Sequence, residues 1–145
     1  MGSTIEMKDM RYLNLFEKIT RVSTRYCFNY NETIIFAVPR NLISKAIGKA
    51  GENVKKISEI LGKKIKIIAT PQEAREIEKD STVIKGFIEA VVSPVTFRNL
   101  EVADNEIIIT AGSHSKAALI GRNKRRLHEL QKIAKDFFRK ELKIV

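Results

Sequence analysis

The chain has 145 residues, 43% of them hydrophobic and 30% charged, with a net charge of +10 and a single cysteine. That balance describes a globular protein rather than a disordered tail. One cysteine excludes an intrachain disulfide and a multi-cysteine zinc site, and a reducing, cytoplasmic compartment is the expectation. No apolar stretch is long enough to span a bilayer, and the N-terminus lacks the layout of a secretion signal.

The first expected helix opens near Thr4, a good N-cap, and carries Tyr12, Leu15, Phe16 and Ile19 at i, i+3, i+4 and i+7. Two strands come next, about 25–30 and 33–38, joined by a polar turn at Asn31. A short helix over 42–47 runs into Ile47-Gly48-Lys49-Ala50-Gly51. A longer helix then buries Val54, Ile57, Ile60 and Leu61 and closes at Gly62. A strand over 64–69 ends this part. Pro71 and a charged, helix-compatible stretch over 72–79 connect it to the second half of the chain.

From Ser81 the order begins again. Ile84, Phe87, Ile88 and Val91 repeat the first stripe. Strands are expected over 95–102 and 106–111, a short helix over 115–120, and then the turn Ile120-Gly121-Arg122-Asn123-Lys124. A helix with Leu127, Leu130, Ile133, Ala134 and Phe137 inward comes after it, then a last strand over 142–145. Adding 73 to residues 31–60 brings the apolar positions into coincidence: Ile47 falls on Ile120, Val54 on Leu127, Ile57 on Leu130. This is one supersecondary unit, duplicated. The expected architecture is α+β: two units, residues 4–70 and 81–145, joined by a connector over 71–80. Each is a small sheet covered by helices, and their thin cores favour packing against each other.

Positive charge collects around both turns. Residues 40–66 hold eight basic and two acidic side chains, and residues 113–143 hold ten and three. A polyanion is the natural partner. A glycine turn that starts a helix offers free amides and a favourable dipole to phosphate.

The motif Ile47-Gly48-Lys49-Ala50-Gly51-Glu52-Asn53-Val54 resembles the signature turn of the KH domain, a module whose GXXG loop clamps about four nucleotides of single-stranded nucleic acid. The element order is similar to the type II form. Two such units filling nearly the whole chain resemble the archaeal NusA-like transcription factors. The second turn departs from the pattern, because Lys124 stands in place of the second glycine. Either Lys124 takes a left-handed conformation at a cost, or Asn123 absorbs it in a reshaped turn.

The resemblance implies a non-enzymatic protein that binds single-stranded RNA on nascent transcripts, in elongation, termination or antitermination. It implies phosphates at Gly48, Lys49 and the amides of Ala50, Gly51 and Glu52, with Lys45, Lys55, Lys56 and Lys66 extending the track. In the second unit Lys116, Gly121, Arg122, Asn123, Lys124, Arg125 and Arg126 continue it. Bases are expected against a groove of Ile43, Ile47, Val54 and the strand from Ile65 to Ile68. An aspartate at Gly48 should abolish binding. A ribosome-associated or RNA-processing role is the alternative on the same fold; a scaffold docking on RNA polymerase is the alternative of another class. No cofactor, metal or small-molecule substrate is expected. His114 and His128 are isolated, and the residues around Gly48-Lys49 lack the earlier glycine and the later hydroxyl of a nucleotide-hydrolase loop.

Overall fold

The computed structural model describes residues 7–71 and 81–145. The cap expected of Thr4 and the helix expected over 72–79 lie outside them. The chain divides into two compact units, residues 1–70 and 71–145.

In the first unit, α1 spans Met7–Thr20. The Thr20 hydroxyl ends it by donating to the Phe16 carbonyl at 2.8 Å and accepting from the Val22 amide at 3.0 Å. Strands β1 (Tyr26–Tyr30) and β2 (Thr33–Val38) form an antiparallel hairpin. Asn31 and Glu32 both take positive φ, 52° and 58°, the pairing a type I′ turn demands. After a 3-10 turn at Arg40–Leu42 come α2 (Ile43–Ile47) and α3 (Glu52–Leu61). β3 (Lys64–Ala69) then pairs parallel to β2, giving the order β1-β2-β3.

Strand alternation decides which side chains meet the helices. Ile34, Phe36 and Val38 of β2 form the core with Phe16, Val22, Ala46 and Ile57, and Ile65 and Ile67 of β3 pack beside them. Phe16 and Phe36 stack with ring centroids 4.3 Å apart. Cys27, in register with Phe36, is half-buried against the same core. One expectation fails here: Ile60 is 56% exposed rather than inward. It lies in the last turn before the Gly62 cap, and Leu61 takes the inward place instead.

The second unit repeats the order with α4 (Ser81–Val92), β4 (Asn99–Val102), β5 (Glu106–Thr110), α5 (Ser113–Ile120), α6 (Arg125–Phe138) and β6 (Glu141–Ile144). Its sheet is ordered β4-β5-β6, antiparallel then parallel. β4 begins four residues later than the sequence suggests. The Val95 amide turns back to the Val92 carbonyl at 2.9 Å, and pairing starts only when the Arg98 amide reaches the Thr110 carbonyl. In α6 the most buried aromatic is Phe138, not Phe137, and both rings meet Phe87, at 5.7 and 4.7 Å.

Lys140 is buried, and its ammonium donates to the carbonyls of Ala103 (3.1 Å) and Asp104 (2.7 Å) in the β4–β5 turn. Hydrogen bonds from a charged donor are the stronger kind. Lys140→Met keeps the apolar stem and removes both bonds. It is expected to cost about 2 kcal/mol, read as a lower urea midpoint by far-UV circular dichroism, with faster amide exchange in β4 and β5.

Candidate nucleic-acid interface

Each turn is built by the chain folding back on its own carbonyls. The Gly48 amide donates to the Ser44 carbonyl at 3.0 Å, closing α2, and the Gly51 amide donates to the Gly48 carbonyl at 3.1 Å. The Glu52 amide donates to the Lys49 carbonyl. These bonds occupy the amides of Gly51 and Glu52. The three amides expected at the first turn thus narrow to Ala50, with Lys49 beside it, as those the turn's own bonds do not use.

The conformation is specific. Gly48 sits at φ 84°, ψ 169°, a region essentially reserved for glycine. Ala50 is left-handed at φ 56°, ψ 26°, and Gly51 at φ 73°, ψ 19°. The second turn keeps this frame: Gly121 at 74°, 173°; Asn123 at 56°, 27°; Lys124 at 60°, 22°. The turn is not reshaped. Asn123 and Lys124 both take the left-handed conformation, and a lysine stands where glycine would be relaxed.

A second device holds each turn, and the sequence did not reveal it. The Asn53 amide nitrogen donates to the carbonyls of Ala46 (3.1 Å) and Lys45 (3.3 Å), tying α3 to the end of α2. Its counterpart in the repeat is Arg126, whose guanidinium donates to the Ala118 carbonyl at 2.9 Å. A Cβ on Gly48 would lie 2.9 Å from Asn53, and one on Gly121 would lie 2.8 Å from Arg126. Glycine is needed there both for its φ and to let the bracket side chain pass. The signal was the 73-residue offset itself, which pairs two polar side chains of different length and chemistry.

Lys45, Lys49, Ala50, Glu52, Lys55 and Lys56 are all exposed, so the first turn presents its charges to solvent on one segment. Ile47 and Val54 flank it half-buried, whereas Ile43, Ile65 and Ile67 pack against the core and Ile68 is buried on the other sheet face. Of the residues expected to line an apolar groove beside the turn, Ile43, Ile47, Val54, Ile65 and Ile67 are half-buried, while Ile68 lies on the other sheet face. Lys66 is in register with Ile35 and so points away from the helices; burial lowers its ammonium pKa. It stands apart from the turn. In the second unit Arg122, Asn123, Lys124 and Arg125 are exposed and Lys116 half-buried.

Among the described residues, no cluster of three or more His, Cys, Asp and Glu gathers as a metal site, and no helix is long and apolar enough to cross a membrane.

Helix, two strands, two helices about a bracketed glycine turn, and a last strand parallel to its neighbour define a KH-like α+β fold. Residues 17–75 match the family described as the NusA-like second KH domain. The chain is a NusA-like KH-domain protein. It is 30% identical over 125 residues to the probable transcription termination protein NusA of Methanococcus vannielii, covering 83% of this chain and 66% of that protein. For the protein of the same name from Methanocaldococcus jannaschii the values are 28% over 132 residues, 88% and 67%. The chain thus spans about two thirds of the length of these relatives. Among solved structures, the crystal structure of APE1850 superimposes with a TM-score of 0.64 at 22% identity over 97% of this chain and 99% of that one, a likeness of fold.

Proposed function

We propose that residues 4–70 and 81–145 are two KH domains that bind single-stranded RNA without catalysing a reaction, and that the protein acts on nascent transcripts as a termination or antitermination factor. The observation that carries this reading is the first turn. Its Gly48 carbonyl and Gly51 amide close on each other, its Lys49 and Ala50 stand exposed, and cations flank it on both helices. Such a surface suits a phosphate backbone passing over the turn while a base rests on Ile47 and Val54. The names borne by the relatives support the transcriptional role.

The test is fluorescence anisotropy of a randomised single-stranded RNA pool across a salt series. With four or more phosphates engaged, log Kobs against log salt should fall with a slope of about −3 or steeper. A flat titration, or equal affinity for duplex and single strand, would sink the proposal.

A further inference from the structure

We propose that the outer ridge of α6, formed by His128, Lys132, Lys135 and Arg139, binds the phosphate backbone of double-stranded RNA, so that the second unit engages a stem adjoining the single strand. This rests on the reading that the chain binds single-stranded RNA.

Leu130, Ile133, Ala134 and Phe138 bury one side of α6. His128, Lys132, Lys135 and Arg139 follow one another at intervals of four, three and four residues, which puts them within about 60° of each other on the opposite side. All four are exposed. At about 1.5 Å per residue they run along about 16 Å of the helix and its cap. No carboxylate pairs with His128, Lys132 or Arg139 among the described residues. Lys135 meets Glu141 at 2.9 Å with both side chains open to solvent, a kind of pair that contributes little and yields readily to a phosphate. The acids of α6 lie off the ridge: Glu129 is half-buried, and Asp136 is exposed on one flank.

The repeat shows that the fold does not require this charge. α3 has 10 residues against 14 in α6. Where α6 has His128 and Lys132, α3 has Lys55 and Glu59, and where α6 continues to Lys135 the first unit has reached its cap, Gly62. Arg139 caps α6 in the left-handed conformation, φ 57°, which Gly62 takes at φ 66° with no Cβ to oppose it.

What the ridge lacks narrows its partner. The exposed large apolar side chains among the described residues are Met10, Ile60 and Val145, none of them on α6, and the ring of Phe137 meets Phe87 at 4.7 Å. A docked protein draws its affinity from apolar and aromatic anchors, and unpaired bases need rings on which to stack. A stem hides its bases, presents regular rows of phosphates and is recognised through backbone and shape. A rigid row of basic side chains without apolar company suits that class of ligand.

The experiment compares, by anisotropy across a salt series, a single-stranded RNA tail, the same tail carrying a stable hairpin stem, and the blunt stem alone, with wild type and His128→Gln/Lys132→Gln/Arg139→Gln. Wild type should bind the tailed stem about tenfold tighter than the tail, with a salt slope steeper by about 2, and the blunt stem more weakly than the tail. The triple variant, folded by far-UV circular dichroism, should bind the tail as wild type does and lose the gain from the stem. No gain in wild type, or a gain that survives in the variant, would overturn the proposal. Loss of tail binding in the folded variant would overturn it as well, by assigning the ridge to single strands. Binding of poly-glutamate by wild type and not by the variant, with no gain from the stem, would make the occupant an acidic polypeptide instead. Failure of wild type to bind the tail would remove the underlying reading.

Discussion

Gly48→Ala is expected to cost the first unit about 3 kcal/mol, and Gly51→Ala only about 1 kcal/mol, although the two glycines carry equal weight in the motif. At Gly48 two effects add. The backbone at φ 84°, ψ 169° excludes a side chain, and the new Cβ would lie 2.9 Å from Asn53, so the bonds from Asn53 to the Ala46 and Lys45 carbonyls must give way. At Gly51 a Cβ meets nothing within 4 Å, and only the left-handed φ of 73° is penalised. The repeat supports the smaller figure, since Lys124 occupies the corresponding place at φ 60°. The chain has no tryptophan, and its three tyrosines, Tyr12, Tyr26 and Tyr30, all lie in the first unit. Urea denaturation monitored by tyrosine fluorescence therefore reads that unit alone. Equal midpoint shifts for the two variants would refute the role given to Asn53.

What the sequence made legible was whatever repeats. Apolar stripes at helical spacing placed α1, α3, α4 and α6 within a few residues, because a face such as Ile84, Phe87, Ile88 and Val91 has one way to be buried. Errors came where a single hydrogen bond outweighs a pattern. The apolar run from Val95 looks like strand, but the Val95 amide is taken by Val92 and pairing waits for Arg98. Ile60 fits the stripe, yet α3 stops a residue later at a glycine cap. The candidate site was legible as a motif and a charge distribution. Its working geometry was not, because the occupied amides of Gly51 and Glu52 and the brackets at Asn53 and Arg126 depend on contacts eight residues or fewer apart that no periodicity announces. Lys66, counted with the basic track from its neighbours in sequence, is directed elsewhere by strand alternation.

The same geometry dictates how charge at the first turn must be tested. An aspartate at Gly48 removes the turn along with the binding, so its effect on RNA says nothing about where phosphates sit. Lys49 and Ala50 are exposed, and Ala50 is already left-handed at φ 56°, a conformation aspartate accepts more readily than alanine. Lys49→Glu/Ala50→Asp changes the local charge by three while leaving the brackets and the two glycines untouched. Binding of single-stranded RNA is expected to fall about 30-fold, roughly 2 kcal/mol, with the tyrosine-monitored urea midpoint unchanged. Unaltered affinity in this variant would mean that RNA does not pass over the first turn, since replacing one cation by two anions cannot be without effect on a phosphate within a Debye length of about 10 Å.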